Sequence, residues 1–353
     1  MTDLLADDIV QVEGRPTLTG RRHRRRRERL VTLVLLLVAF ALFVTTLMIG
    51  SYRLSPVEVV SSLLGLNDDG AVNFVVRDLR LPTATTAVFV GVAFGLSGII
   101  FQRLLANPLA SPDFVGISQG ASLAAIWIII LTTWSAVVVA GFAVLGALTA
   151  ALVIYLLAWR GGVSGYRFIL VGIGVAQFCV AMIGYVIARA QLFDAREAMT
   201  WLVGSVGQAG SFQLRILIVA VAVLLPVALL MAHRLGALEL GDPIAIALGV
   251  RVERTRLALL AIAVLLIALG TAAAGPIAFV ALVSGPIATR LVRTGGSLLL
   301  PAALVGAVLV LASDLVAQHV LPVALPTGVV TGAVGAPYMI WLLATVNREG
   351  RGG

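Results

Sequence analysis

The chain has 353 residues, 60% of them hydrophobic and only 12% charged, with a formal net charge of +8. A soluble domain carries about 25% charged residues, so this composition excludes a soluble globule and points to a polytopic helical membrane protein. Every basic residue is arginine; without lysine the chain cannot hold the GxxxxGK[ST] phosphate loop, so any ATP it uses is bound by another subunit.

The first segment, 1–29, is polar and ends in the run Arg21, Arg22, Arg24, Arg25, Arg26, Arg27 and Arg29. Beside the apolar run Leu30 to Gly50, these arginines read as an orientation signal against anionic head groups rather than a nucleic-acid patch. That run is longer than a secretory h-region, and no A-x-A-like site follows it. Apolar stretches predict ten spans, at 30–51, 82–105, 114–131, 135–158, 167–190, 213–234, 256–275, 277–293, 298–320 and 327–346. The third and eighth are short and rich in small residues, which implies partly irregular backbone in a protein-lined region.

Residues 51–81 form the longest outer connection. There SPVEVVSSLLG reads as a short amphipathic helix with Ser55 as N-cap, Pro56 at N1, Glu58 at N3 and Gly65 at the stop. The second span carries Gly91, Gly95 and Gly98 in a row suited to close helix packing. It runs out in GLSGIIFQRLLANPLASPDFVGISQGAS, where Asn107-Pro108 stops one helix. Ser111 is expected to cap the next, with Pro112 at N1 and Asp113 in the first turn. The lone cysteine, Cys179, excludes an internal disulfide and reads as a core residue. The outer segment 191–212 carries Trp201 and several glycines.

On the inner side LGDPIAIALGVRVERTR, residues 240–256, interrupts two long apolar stretches. Asp242 is positioned to cap a helix that has Pro243 at N1, runs through Ile244–Leu248 and stops at Gly249. Asp314 is the one carboxylate inside a predicted span. Gln318, one turn on, offers it a hydrogen bond, which favours a structural role over a proton relay. Three histidines and one cysteine in no cluster give no metal site. Arginine placement sets the orientation. Arg103, Arg160, Arg167, Arg234, Arg251, Arg254, Arg256, Arg290, Arg293, Arg348 and Arg351 fall inside with the N-terminal run; Arg53, Arg77, Arg80, Arg189, Arg196 and Arg215 fall outside. Both termini are therefore expected in the cytoplasm. One membrane domain, 30–346, lies between tails 1–29 and 347–353.

Several blocks, in order along nearly the whole chain, resemble the FecCD-type permeases, the membrane subunits of ABC importers for iron–siderophores, haem and vitamin B12. They are the turn sequence quoted above, RDLRLP (77–82), WLVGS (201–205), LELGDPIAIALGV (238–250), AGPIAFVALVSGPIATRLV (274–292) and LPTGVVTGAVGAPYMIWLL (325–343). Within the family the likeness is strongest to the second permease subunits of ferric-enterobactin importers.

The resemblance implies an all-α, vitamin-B12-permease-like (type II importer) fold of about ten transmembrane helices. It implies that 235–255 is the loop coupling the permease to its ATPase, built from Glu239, Gly241, Asp242, Pro243, Ile244, Ala245, Leu248, Gly249 and Arg251. Ile244, Ala245 and Leu248 would seat in the ATPase groove, with Glu239 and Arg251 or Arg254 at the rim. Asn107, Leu109, Gly165 and Tyr166 would form the cytoplasmic gate. Arg80 matches a family arginine that pairs with a carboxylate of a substrate-binding protein. Two further basic positions of the family are Thr83 and Gln318 here, which favours a heterodimer of two permeases over a homodimer. Gly98, Gln102, Trp201, Gly204, Ser205 and Asp314 are pathway or packing positions. Gly285-Pro286 stands where the family commonly has Pro-His.

The expected function is a non-enzymatic permease subunit in a bacterial plasma membrane, moving a ferric siderophore by alternating access. Its partners would be a second permease, two ATPases carrying ATP and Mg, an extracytoplasmic binding protein and the lipid bilayer, with no nucleic acid and no cofactor on the chain itself. The same machine moving cobalamin or haem is one alternative. An ion-gradient-driven carrier is another; it calls for midplane ion ligands from broken helices, and only Asp314 speaks for it.

Overall fold

The computed structural model describes residues 18–50, 52–132, 134–159, 165–293 and 297–349. The start of the N-terminal tail, Arg160 with residues 161–164 of the GGVSGYR loop, and the last four residues with Arg351 lie outside the described residues. The architecture is all-helical. The first elements are α1 (Leu18–Met48), α2 (Pro56–Leu64), α3 (Gly70–Asn73) and α4 (Leu81–Leu104), with a π-helical stretch, Phe74–Arg80, joining α3 to α4. Next come α5 (Ile117–Leu131), α6 (Ala136–Ala158), α7 (Gly165–Arg189), α8 (Leu192–Val203) and α9 (Ser211–Leu230). The chain ends with α10 (Ala232–Leu238), α11 (Asp242–Ala247), α12 (Val252–Ala274), α13 (Val280–Val292), α14 (Leu299–His319) and α15 (Thr327–Glu349).

Seven of these helical runs are long and apolar enough to cross a bilayer, and three shorter apolar ones, Ile117–Leu131, Val280–Val292 and Thr327–Leu342, fill the remaining predicted positions. Thirteen residues of α13 reach only about 20 Å at ~1.5 Å per residue, less than a hydrocarbon core of about 30 Å. The short α13 is enclosed by its neighbours: Val280 through Pro286 are all buried.

Three boundaries differ from the sequence reading. The arginine run belongs to α1, which starts at Leu18, so the membrane helix projects beyond its apolar part; arginine is a good helix former. The second span begins at Gly70 and runs unbroken for 35 residues. The proline at 82 lies in the first turn of α4 but does not open the span, because a π-helical stretch runs into it from α3: the Leu81 N–H donates to the Val76 carbonyl, one residue further back than in an α-helix. Ser111 does not cap α5. The segment 105–116 is a series of turns, and α5 starts after Gly116, a left-handed residue at φ 95°. The predicted outer helix is present: Ser55 and Glu58 form a reciprocal capping box and Gly65 closes α2 at φ 79°.

The centre of the molecule is α4, 83% buried in its most apolar window, against 22–33% for α1, α6, α7 and α9. It packs on α14, α12 and α13. Lipid tails are as apolar as leucine, so backbone proximity and interhelical hydrogen bonds hold such helices together. A Cβ at Gly91 or Gly95 would run into the backbone of Gly306 or Ala302 on α14, and one at Gly98 into Ala281 on α13. The Ser97 hydroxyl donates to the Ala263 carbonyl of α12 at 2.7 Å. The start of α1 meets the end of α13, where Arg27 Nε donates to the Leu291 carbonyl; the end of α4 meets α10, where Arg103 pairs with Glu239. These ends define an arginine-rich face, with α2, α8 and the start of α15 on the opposite one.

Candidate functional site

On the arginine-rich face the chain builds a small anchored knuckle. Gly241 takes φ 93°, ψ 154°, a conformation that an L side chain rarely adopts, and turns the chain into α11 with Pro243 in its first turn. At the far end Gly249 takes φ 79°. The Val250 N–H donates to the Ala245 carbonyl at 3.0 Å and the Gly249 N–H to the Ile246 carbonyl at 2.9 Å, a Schellman closure. The Asp242 carboxylate does not cap the helix as expected; it accepts from Arg256 at 2.9 Å, while Arg256 also reaches Glu253 at 3.2 Å. Arg256 thus ties the start of α11 to the start of α12. Glu239 is not at a free rim either. It pairs with Arg103 at 2.9 Å, which ties the knuckle to the central helix. Its burial raises the Glu239 carboxyl above its ordinary range, with Arg103 opposing that shift.

Ala245, expected to face outward, is fully buried against Ala237 and Val252. Six helical residues have room for one inward face, and Ala245 takes it while Ala247 stays exposed. Leu240, Ile244, Ile246 and Leu248 are 50–64% exposed, an apolar patch outside the membrane helices. Arg251 and Arg254 flank it, exposed. Ile246 and Leu240 were missed by the sequence reading.

The turn segment 105–116 reaches the same face. Asn107 Oδ1 accepts the Leu109 N–H at 2.9 Å, an Asx turn. Leu109 is partly exposed. A Cβ at Gly165 would stand 2.9 Å from the Leu105 carbonyl oxygen, so the start of α7 abuts the start of this turn. Tyr166 is 77% exposed. Gln102, buried in the last turn of α4, donates to the Leu282 carbonyl at 2.8 Å, and Gly285 leaves the space that its amide oxygen occupies. Gln102 and Gly98 therefore pack α4 onto α13.

On the opposite face the WLVGS stretch is a structural knot. A Cβ at Gly204 would be 2.6 Å from the Pro276 carbonyl oxygen, and one at Gly275 2.6 Å from that of Trp201. The Ser205 N–H donates to the Ala274 carbonyl at 2.7 Å, and the Gly328 N–H to the Gly204 carbonyl at 3.0 Å. Thr327 accepts from the Val206 N–H and donates to Asp314 Oδ1 at 2.9 Å. Asp314 is therefore satisfied by Thr327 and not by Gln318, whose amide donates to the Leu325 carbonyl. Nearby, the half-buried Arg80 donates to the Leu47 carbonyl at 2.8 Å, to that of Met48 at 3.1 Å and to that of Tyr52. It closes the open carbonyls at the end of α1.

Residues 35–345 match the FecCD transport family. The chain belongs to that family. The chain is 38% identical over 325 residues to the ferric enterobactin transport system permease protein FepG of Escherichia coli K12, covering 92% of this chain and 98% of that protein. It is 39% identical over 317 residues to the achromobactin transport system permease protein CbrC of Dickeya dadantii, covering 89% and 90%. Among solved structures, a putative metal-chelate type ABC transporter in an inward-facing conformation superposes with a TM-score of 0.78 at 25% identity, covering 90% of this chain and 99% of that one.

As a FecCD chain, the protein has the type II importer fold that its sequence blocks implied. At Gly285-Pro286 the glycine gives Gln102 its place.

Proposed function

We propose that the chain is the membrane-spanning permease subunit of an ATP-driven importer that carries a ferric siderophore by alternating access. The observation that carries this reading is the knuckle: exposed Leu240, Ile244, Ile246 and Leu248 on a helix braced from behind by Arg103–Glu239 and Arg256–Asp242. A chain without the phosphate-loop lysine needs an external motor, and a rigid apolar knob is what a motor's groove can grip. The ATPases, with ATP and Mg, are separate subunits on that face, which the arginine bias makes cytoplasmic. Both termini lie there, in the plasma membrane of a bacterium.

A second FecCD permease completes the pathway, in a heterodimer, because Thr83 and Gln318 leave this chain short of the family's docking cations. Arg80 keeps its place on the outer face, where it holds the end of α1 and lends its charge to docking of the binding protein. Asn107, Leu109, Gly165 and Tyr166 narrow the inner mouth. The cargo class follows the FepG and CbrC likenesses.

The test is radio-iron uptake by cells lacking only this chain, over catecholate, hydroxamate and mixed ferric siderophores, with labelled cobalamin and haem as controls. Loss of one siderophore class, restored by the gene, is the expected result. Loss of cobalamin or haem uptake alone would move the cargo, and uptake that continues after ATP depletion would overturn the importer reading.

A further inference from the structure

On the face opposite the arginine-rich one, the ends of α5, α8 and α12 and the starts of α6 and α9 enclose a recess of about 390 Å³. Trp134 and Trp201 stand in its wall with Glu197, Gln208 and Gln213. Among the described residues Glu197 is the one charged side chain that lines it, and it makes no ion pair with any of them. Gln208 donates its amide N–H to the Thr200 carbonyl at 3.3 Å, which leaves its amide oxygen to accept. Gln213 is 9% exposed, and its side-chain amide has no partner among the described residues. A polar side chain buried that deeply is rarely left unsatisfied, so the recess calls for an occupant with polar groups.

Below it a second recess of about 220 Å³ opens between α6 and α9, over the end of α12. Gln213 and Ala272 line both, so the two adjoin. The walls of the lower one are apolar, with Val137, Gly141 and Val144 of α6, Ile216 of α9 and Leu269 of α12. Val144 lies in the third turn of α6, about 12 Å from the helix start at ~1.5 Å per residue. The recess therefore ends within one half of a hydrocarbon core of about 30 Å. A volume of about 220 Å³ over about 12 Å of depth leaves a slot about 4 Å wide. That is too narrow for a helix, whose diameter is about 10–12 Å, and wide enough for a hydrocarbon chain. Ala140 in its wall is only 8% exposed, so this is a slot sunk into the chain and not an open helix face.

A polar recess at the membrane boundary, set above an apolar slot of one leaflet's depth, has the shape of an amphiphile standing along the bilayer normal. The head group is specified by the groups around it. An unpaired carboxylate and two indole rings favour a cation, because tryptophan is the strongest aromatic partner for one, and tryptophan concentrates at the head-group level. The carboxamides accept from ammonium N–H groups and donate to phosphate oxygens. We propose that this composite recess binds one phospholipid of the adjoining leaflet whose head group carries a primary ammonium. The ammonium sits at Glu197 and the two tryptophans, and one acyl chain lies in the slot between α6 and α9. A neighbouring permease is a poor occupant, since its helices cannot enter the slot. A phospholipid of net negative charge is another, since Glu197 repels it.

The experiment uses the complete importer, equilibrated in detergent with equal amounts of phosphatidylethanolamine and phosphatidylglycerol, and reads the retained lipids by native mass spectrometry. The unaltered importer should retain phosphatidylethanolamine severalfold over phosphatidylglycerol. Glu197→Lys, on the surface of α8, should invert that preference. Nothing stands within 4 Å of a Cβ built at Gly141, so Gly141→Leu should fold, fill the slot and lower retained phosphatidylethanolamine severalfold, while Gly141→Ala changes it little. An unaltered preference in Glu197→Lys would overturn the inference, as would unaltered retention in Gly141→Leu. Weakened permease pairing or binding-protein docking in both variants, with lipid retention unchanged, would overturn it in favour of a protein occupant. No readout uses cargo or ATP, so failure here is distinguishable from failure of the importer reading.

Discussion

At the scale of single residues, the polar groups in this chain bind backbone more than they bind each other. Asp314 illustrates it. Lodged in an apolar span, it takes its hydrogen bond from Thr327, thirteen positions on, across a helix pair that the sequence does not show to be adjacent. Thr327→Val leaves the buried carboxylate without that donor and should cost about 1–3 kcal/mol, read as a lower melting temperature in detergent. Asp314→Asn keeps a hydrogen-bonding partner and should retain ATP-driven uptake; its loss with normal insertion would revive the ion-driven carrier. Glu58 was legible beforehand because its partner, Ser55, is three residues away. The Ser55 N–H, and then its hydroxyl, hold the Glu58 carboxyl below its ordinary value. A depressed pKa means a contribution present above the unfolded value of about 4.3 and lost as pH falls through the folded one. The protection factors of the α2 amides should therefore fall on acidification below that range, and Glu58→Ala should abolish that fall.

At the scale of elements, the knuckle separates what spacing reveals from what it hides. Gly241, Pro243 and Gly249 announce a short helix between two breaks, and it is there. Which face points outward depended on what lies behind it, and Ala245 turned inward to meet Ala237 and Val252. No side chain stands within 4 Å of a Cβ built at Gly249. Gly249→Arg therefore strains only the backbone, so it should leave the subunit inserted but separate ATP hydrolysis from uptake; normal uptake would count against the loop as the coupling element. The Arg103–Glu239 pair joins this loop to α4. Arg103→Glu and Glu239→Arg should each lower uptake per ATP hydrolysed severalfold, and the exchanged pair should recover part of it. Additive losses in that cycle would mean that the two residues act independently.

At the scale of the whole molecule, one helix, α4, carries the packing, and its glycines set how close the neighbours come. Gly306→Leu would drive a side chain into the Gly91 backbone, and should abolish assembly of the subunit in the membrane, read as proteolysis and loss of folded yield. Near-normal yield would mean that α4 and α14 do not need their close approach. Composition and hydropathy determined the class, the ten apolar segments, their order and the arginine-rich face, because a bilayer imposes its thickness and its aversion to charge on each segment separately. Ordered local blocks carried the family for the same reason: caps, turns and glycine breaks are short-range chemistry. Only the tertiary structure decided that Arg103 meets Glu239, that Arg256 holds Asp242, and that Arg80 closes the end of α1. Each of those contacts joins residues at least 14 positions apart. Whether such residues meet is settled by how helices approach one another, which depends on the small side chains of several helices at once and on no single stretch of sequence.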